Sequence, residues 1–182
     1  MTPIPKPPIH PPVQRPSHLP GRDTPVVLAL GSNLGDREAI LTAGLDALTA
    51  AGVRVTAVSA FAASVAVKPS GPDPSAPDYL NAVALAQTDL SPRALLDLIH
   101  TIEADLGRVR LEHWGDRTLD IDIVAYGSRI VAEPDLEIPH PRAADRDFVL
   151  GPWLEVDPDA ELPGHGRADA LLASLRTAGA QA

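Results

Sequence analysis

The sequence predicts an α+β sandwich of element order β-α-β-β-α-β, with an antiparallel four-stranded sheet and helices packed on it. Three observations carry that expectation. Apolar, β-favouring runs occur at VVLAL, VRVTAVS, YLNAVALAQ and LDIDIVAY, each short enough to be a strand. Two intervening segments repeat their apolar residues at helical spacing. Caps, glycine stops and prolines fall where those elements have to begin or end.

Residues 1 to 24 carry prolines at positions 3, 5, 7, 8, 11, 12, 16 and 20 with almost no large apolar side chains between them. Such a segment cannot offset the entropy of folding by burial, so it is expected to be a disordered tail, with the domain over 25 to 182. The first strand, VVLAL after Pro25, runs into Gly31-Ser32-Asn33-Leu34-Gly35-Asp36, where two glycines permit a tight turn and Asn33 or Asp36 caps a helix. That turn lacks the Gly-Lys-Ser/Thr ending of a phosphate loop and reads as structural. Ile40, Leu41, Leu45 and Leu48 give the first helix its buried stripe, and Gly52 stops it.

Val53, Val55 and Ala57 alternate with polar residues as a second strand. A Pro, Gly, Ser and Asp-rich loop, long enough to be a functional lid, is expected from about Ser64 to Asp78. The third strand, YLNAVALAQ, puts Tyr79 and Asn81 on one face. Ser91 and Pro92 form a cap and first-turn proline, Leu95, Leu98, Ile99 and Ile102 the buried stripe, and Leu106-Gly107 the end of the second helix. The fourth strand carries Asp120 and Asp122, and Gly127-Ser128 is expected to turn it into a return strand at Arg129 to Ala132. This order is the split βαβ pattern of a ferredoxin-like sandwich, here with an added C-terminal segment.

Chemistry concentrates on that fourth strand. Aspartate is depleted from strands, yet Asp120 and Asp122 face one way while Leu119, Ile121 and Ile123 face the other, with α-carbons roughly 7 Å apart. Paired carboxylates repel unless a cation lies between them, and hard oxygen ligands suit Mg²⁺ completed by water and substrate phosphate. Arg108, Arg110 and Arg117 precede the pair, and Arg142 and Arg146 follow Pro139-His140. Guanidinium forks around carboxylates, in a chain of net charge −9, point to polyphosphate recognition. The same charge argues against a general nucleic-acid or membrane surface. The absence of cysteine excludes disulfides and thiolate metal sites. No apolar run is long enough to span a bilayer and no secretory signal follows Met1, so a cytoplasmic protein is expected.

Five motifs together resemble the 6-hydroxymethyl-7,8-dihydropterin pyrophosphokinase family. They are Gly31-Ser32-Asn33-Leu34-Gly35, Tyr79-Leu80-Asn81-Ala82, Gly107-Arg108-Val109-Arg110, Trp114-Gly115-x-Arg117-Thr118-Leu119-Asp120-Ile121-Asp122, and Pro139-His140-Pro141-Arg142 with Arg146-x-Phe148. Each is weak alone, and the five in this order and spacing are specific. The resemblance implies a monomeric ATP-dependent diphosphotransferase of folate biosynthesis. It implies two Mg²⁺ ions on Asp120 and Asp122, and catalytic roles for Arg110 and Arg117 as well. Glu103, Arg110, Trp114, Arg117, Ile123, His140 and Arg146 would form the ATP pocket. Val67, Pro69, Ser70, Tyr79, Asn81 and Phe148 would hold the pterin, with the two aromatics stacking and Asn81 hydrogen-bonding the ring. Asp122, or a metal-bound oxygen near it, is the candidate base. The chain departs from the family pattern at Val65 and Val67, where an aromatic and a threonine are usual, at Asp116, and at His113.

Two other classes share features with the chain. In nucleotidyltransferases Gly-Ser and Asp-x-Asp lie close in sequence, whereas here Ser32 and Asp120 are far apart. A ferredoxin-like RNA-binding module wants exposed sheet aromatics and a basic field, and this chain has few aromatics and is acidic.

Overall fold

A computed structural model describes residues 23–65, 67–68, 71–72, 77–107 and 118–179. The strands are β1 (Thr24–Ser32), β2 (Arg54–Val58), β3 (Ala62–Ser64), β4 (Val67–Lys68), β5 (Gly71–Pro72), β6 (Tyr79–Thr88), β7 (Asp120–Tyr126), β8 (Val131–Glu133), β9 (Leu136–Ile138), β10 (Glu161–Leu162) and β11 (Gly166–Arg167). The helices are α1 (Arg37–Ala50), α2 (Pro92–Asp105), α3 (Asp147–Val156) and α4 (Ala168–Gly179), with a 3-10 turn at Ala143–Asp145. Both early helices start as their sequences dictate: Asp36 accepts the Ala39 N–H and Ser91 the Ala94 N–H, each at 3.2 Å. None of the helices among the described residues is long and apolar enough to cross a membrane.

The main sheet runs β2-β6-β1-β7, all antiparallel. In terms of the four expected strands this is second, third, first, fourth, the ferredoxin-like arrangement. The sheet's fifth strand, β3, lies where the sequence predicts none, between the expected second and third strands. β3 pairs with Tyr79–Asn81 on the same edge of β6 that β2 occupies further along, so the two lie end to end. Ser59 bridges the break: its N–H donates to the Val83 carbonyl (2.9 Å) and its Oγ accepts the Val83 N–H (3.0 Å). A side chain there replaces a ladder acceptor, which is why the backbone leaves the strand without leaving a donor unsatisfied. The lid expected from Ser64 begins inside β3, and Val67–Lys68 pairs with Gly71–Pro72.

Two further expectations are corrected. The return strand at Arg129 to Ala132 does not form on β7; Val131–Glu133 pairs instead with Leu136–Ile138. That hairpin is tied to the start of α2 by Arg93, which donates to both Glu133 and Asp135. The first strand also begins ahead of the boundary expected at residue 25. Residues 1–22 lie outside the described residues, but Thr24 pairs with Thr88 in β1, and Asp23 binds Arg54 through its carboxylate (2.9 Å) and Asp89 through its N–H (2.8 Å).

Strand alternation sorts the sheet residues into two cores. Val26, Leu28, Leu30, Ala84, Ala86, Ile121 and Ile123 pack with Leu41, Leu48, Leu95 and Ile99 of α1 and α2. Val83, Val124 and Ala125 pack with Val149, Leu150, Trp153 and Leu172 of α3 and α4. The added C-terminal segment therefore covers the second face, and the sheet is sandwiched between helical layers. A β-bulge sits where Val27 faces Ala125 and Leu28 faces Ile123, leaving Val124 as the extra residue. The bulge lets Val124 and Ala125 both serve the second core while Tyr126 returns to the first.

Leu119, fully buried just ahead of the aspartates, packs against Gly44 of α1, where an added Cβ would lie 3.0 Å from its Cδ2. Gly44→Val is expected to destabilise the fold by about 1–3 kcal/mol through overpacking. Urea denaturation checks it, and an unchanged or raised midpoint would show that Leu119 yields freely.

Candidate functional site

The end of β1 and the beginnings of β6 and β7 meet on the face covered by α3 and α4. Gly31 pairs with Asn81 on one side and with Asp120 on the other, and Ala29 pairs with Asp122. Asn81 and Asp120 thus stand two strand spacings apart, about 10 Å, with only the bare backbone of Gly31 between them. A Cβ on Gly31 would come within 3.2 Å of Asn81 Oδ1 and 3.6 Å of Tyr79 Cδ1. Across the strip, Asn81 donates from Nδ2 to Ser64 Oγ (2.8 Å) and to the Ala62 carbonyl (3.4 Å).

Asp122 is met from the loop that leads into α3. Arg146 Nη1 donates to Asp122 Oδ2 at 2.8 Å, and the same guanidinium lies 5.6 Å from the centre of the Phe148 ring. The repulsion expected between the two aspartates is therefore already offset at Asp122 by an internal cation. His140 Nε2 sits 3.6 Å from the same carboxylate oxygen. His140 follows a cis Ile138–Pro139 bond, and its N–H donates to the carbonyl of the bulged Val124 at 3.0 Å. Its Nδ1 accepts the Arg142 N–H at 3.1 Å. With Nδ1 an acceptor, the neutral ring carries its proton on Nε2, turned toward Asp122. Burial holds the His140 pKa below the usual histidine value; Arg146 and Arg142 push the same way, and Asp122 and Asp120 oppose.

Beneath β7, Glu103 of α2 is only 1% exposed, and its Oε1 accepts the Ile121 N–H at 2.9 Å. It grips the outer edge of the strand between the two aspartates. Among the described residues no cluster of three or more His, Cys, Asp or Glu side chains forms a closed metal cage. Two carboxylates on one strand face, with Asp122 28% exposed, suit an ion that takes its remaining ligands from water and substrate.

The model of the 7,8-dihydro-6-hydroxymethylpterin-pyrophosphokinase family matches residues 27–158. The chain belongs to this family. The pyrophosphokinase of Haemophilus influenzae is 44% identical over 137 residues, covering 75% of this chain and 83% of that protein. The Mycobacterium leprae pyrophosphokinase is 42% identical over 166 residues, covering 84% and 83%. Among solved structures, the wild-type HPPK-DHPS of Plasmodium falciparum matches with a TM-score of 0.68 at 12% identity, over 88% of this chain and 46% of that one. At that identity the likeness is one of fold, and the chain spans about half the length of the structure.

Against the expected pyrophosphokinase site, the structure brings together Asp120, Asp122, His140, Arg146 and Phe148 on one side of Gly31, and Tyr79 and Asn81 on the other. Arg108, Arg110, His113, Trp114, Asp116, Arg117, Pro69 and Ser70 lie outside the described residues. Val67 opens the short β4 strand. The Ile123 side chain is buried in the core against α1 and α2, on the face away from Asp120 and Asp122. Sequence reading missed Gly31, taken for part of a turn, and Ser64, taken for the start of a loop. Strand register would have found the first, since Gly31 is the residue opposite both Asn81 and Asp120.

Because the folded-state pKa of His140 is depressed, the unfolded chain takes up its proton first as pH falls below about 6.5. The stability that His140 contributes is thus full above that value and is lost on acidification. His140→Gln is expected to reduce the drop in unfolding free energy between pH 7.5 and 5.5, measured by urea titration at both values. An equal or larger drop in the variant would assign the acid sensitivity elsewhere.

Proposed function

We propose that the chain transfers the pyrophosphoryl group of ATP to the hydroxymethyl oxygen of 6-hydroxymethyl-7,8-dihydropterin, releasing AMP, in the folate pathway of the cytoplasm. One observation carries the reading. In a chain of this family, a proposed heterocycle-binding side (Tyr79, Asn81) and a proposed polyphosphate side (Asp120, Asp122, Arg146, His140) stand either side of Gly31, which sets no side chain between them.

Tyr79 from the acceptor side and Phe148 from the side of Arg146 stack the flat ring, Asn81 hydrogen-bonds the ring edge, and Val67, Pro69 and Ser70 are the further pterin contacts that the resemblance implies. Stacking supplies affinity, and the amide supplies orientation. On the donor side, Arg146 and His140 present cationic and N–H groups to phosphate oxygens, joined by Arg110, Trp114 and Arg117. Glu103 acts by holding β7 at the Ile121 N–H, and the Ile123 backbone lies along the nucleotide side. Asp120 and Asp122 are the residues that would hold two Mg²⁺ ions. When bound, these neutralise the triphosphate and align it for in-line displacement. With the ring anchored on one side of Gly31 and the phosphates on the other, the hydroxymethyl oxygen is aimed at the β-phosphorus, so positioning supplies much of the rate.

Incubation with Mg²⁺, ATP and the pterin alcohol should give equimolar AMP and pterin diphosphate on anion-exchange chromatography. ADP would indicate attack at the γ-phosphorus and free pyrophosphate attack at the α-phosphorus, and either as the main product would overturn the reading. Asp120→Asn and Asp122→Asn should each lower kcat by about 100-fold or more.

A further inference from the structure

We propose that Ser64 is a positioning residue for the acceptor site: its hydroxyl holds the Asn81 amide in the sense that the acceptor-only Ala62 carbonyl sets, so that Oδ1, not Nδ2, adjoins the bare backbone of Gly31 and accepts an N–H from the heterocycle. The inference rests on the reading of Asn81 as a pterin contact and adds which way the amide faces, what holds it there, and which ligand edge it selects.

Asn81 is 6% exposed, so its amide has to be satisfied from within the fold. Nδ2 donates to Ser64 Oγ at 2.8 Å, and the Ala62 carbonyl lies 3.4 Å from the same nitrogen. A carbonyl only accepts, so turning the amide over would set Oδ1 against another oxygen and leave both short of a donor. The hydroxyl and the carbonyl belong to β3, the strand that pairs Ser64 with Tyr79 and Ala62 with Asn81. The other end of the amide is defined independently. Oδ1 lies on the Gly31 side, where a Cβ would approach within 3.2 Å, so that oxygen adjoins bare backbone and no side chain from Gly31 covers it. The amide is thus fixed from two sides, with its donor spent on β3 and its acceptor turned to the strip.

A buried acceptor at a binding site selects a donor. A pterin offers a lactam ring N–H and an exocyclic amino group on the same edge, and a ligand methylated there would leave Oδ1 desolvated and unmatched. Ser64 reaches the substrate only through Asn81. A purely structural role would also predict some loss of affinity on its removal, so the decisive readout is selectivity.

The test uses the full-length chain as wild type, Ser64→Ala, Ser64→Thr and Asn81→Ala. Binding of 6-hydroxymethyl-7,8-dihydropterin, its N3-methyl analogue and its N2-dimethyl analogue is titrated by fluorescence, with KM for ATP and Tm measured alongside. Ser64→Ala should bind the pterin about five- to tenfold more weakly, the loss of one hydrogen bond. It should also lose most of the wild-type preference over one of the two methylated analogues, with KM for ATP unchanged. Ser64→Thr, which keeps the hydroxyl, should restore both. Wild-type affinity and selectivity in Ser64→Ala, with Asn81→Ala impaired, would overturn the role of Ser64 and leave the pterin reading standing. Equal weakening toward all three ligands, or a raised KM for ATP with a lowered Tm, would reduce Ser64 to a structural residue and also overturn it. Wild-type binding in Asn81→Ala would remove the pterin contact, and the inference with it.

Discussion

Two carboxylates face the same way at the end of a sheet whose centre is apolar, and the Asp122–Arg146 pair makes that placement tenable. A partly buried aspartate left unmatched would be costly, and a guanidinium at 2.8 Å with a histidine N–H beside it answers the charge from within the chain. The pair also fixes geometry. Arg146 immediately precedes α3, so binding Asp122 ties the start of that helix to β7 and sets the Phe148 ring under the guanidinium. The second helical layer and the Asp122 end of the site are thus placed by one contact.

β7 is the edge strand of the sheet, and its outer edge is occupied by groups that are not strands. Glu103 takes the Ile121 N–H from below, and the His140 N–H takes the Val124 carbonyl where the bulge displaces it. Edge strands invite further pairing, and these caps close the edge while placing functional residues beside it. They also account for the failure of the expected return strand. With the edge engaged, Val131–Glu133 pairs with Leu136–Ile138, and Arg93 secures that hairpin to α2. Hydrogen bonding to Glu133 and Asp135 raises the Arg93 pKa, and Arg93 lowers that of Asp135.

What was legible in the sequence was local. Asp36, Gly52, Ser91-Pro92 and Gly107 mark helix ends because capping and left-handed stops are properties of single residues, and both glycines have positive φ. The alternation of Asp120, Ile121 and Asp122 announced two faces because strand period is fixed. What was not legible depended on partners distant in sequence. β3 is three residues long and is defined by pairing to β6 and by the Ser59 side chain, neither visible in AFAAS. α3 runs through Gly151-Pro152, a pair that reads as a breaker, because its apolar residues bury against Val83 and Val124. The orientation of Asn81 and the clearance at Gly31 belong to the same class: both exist only once register has set three strands side by side.

Gly31 is where the proposed acceptor and donor sides meet. Its φ is not in the left-handed region, so alanine there is strained only by what its Cβ meets, Asn81 Oδ1 at 3.2 Å and Tyr79 at 3.6 Å. Steady-state kinetics of Gly31→Ala against both substrates test this directly. The account predicts a rise of about tenfold or more in KM for the pterin, with KM for ATP and the circular dichroism spectrum close to wild type. A variant with wild-type pterin kinetics, or one impaired only toward ATP, would contradict it.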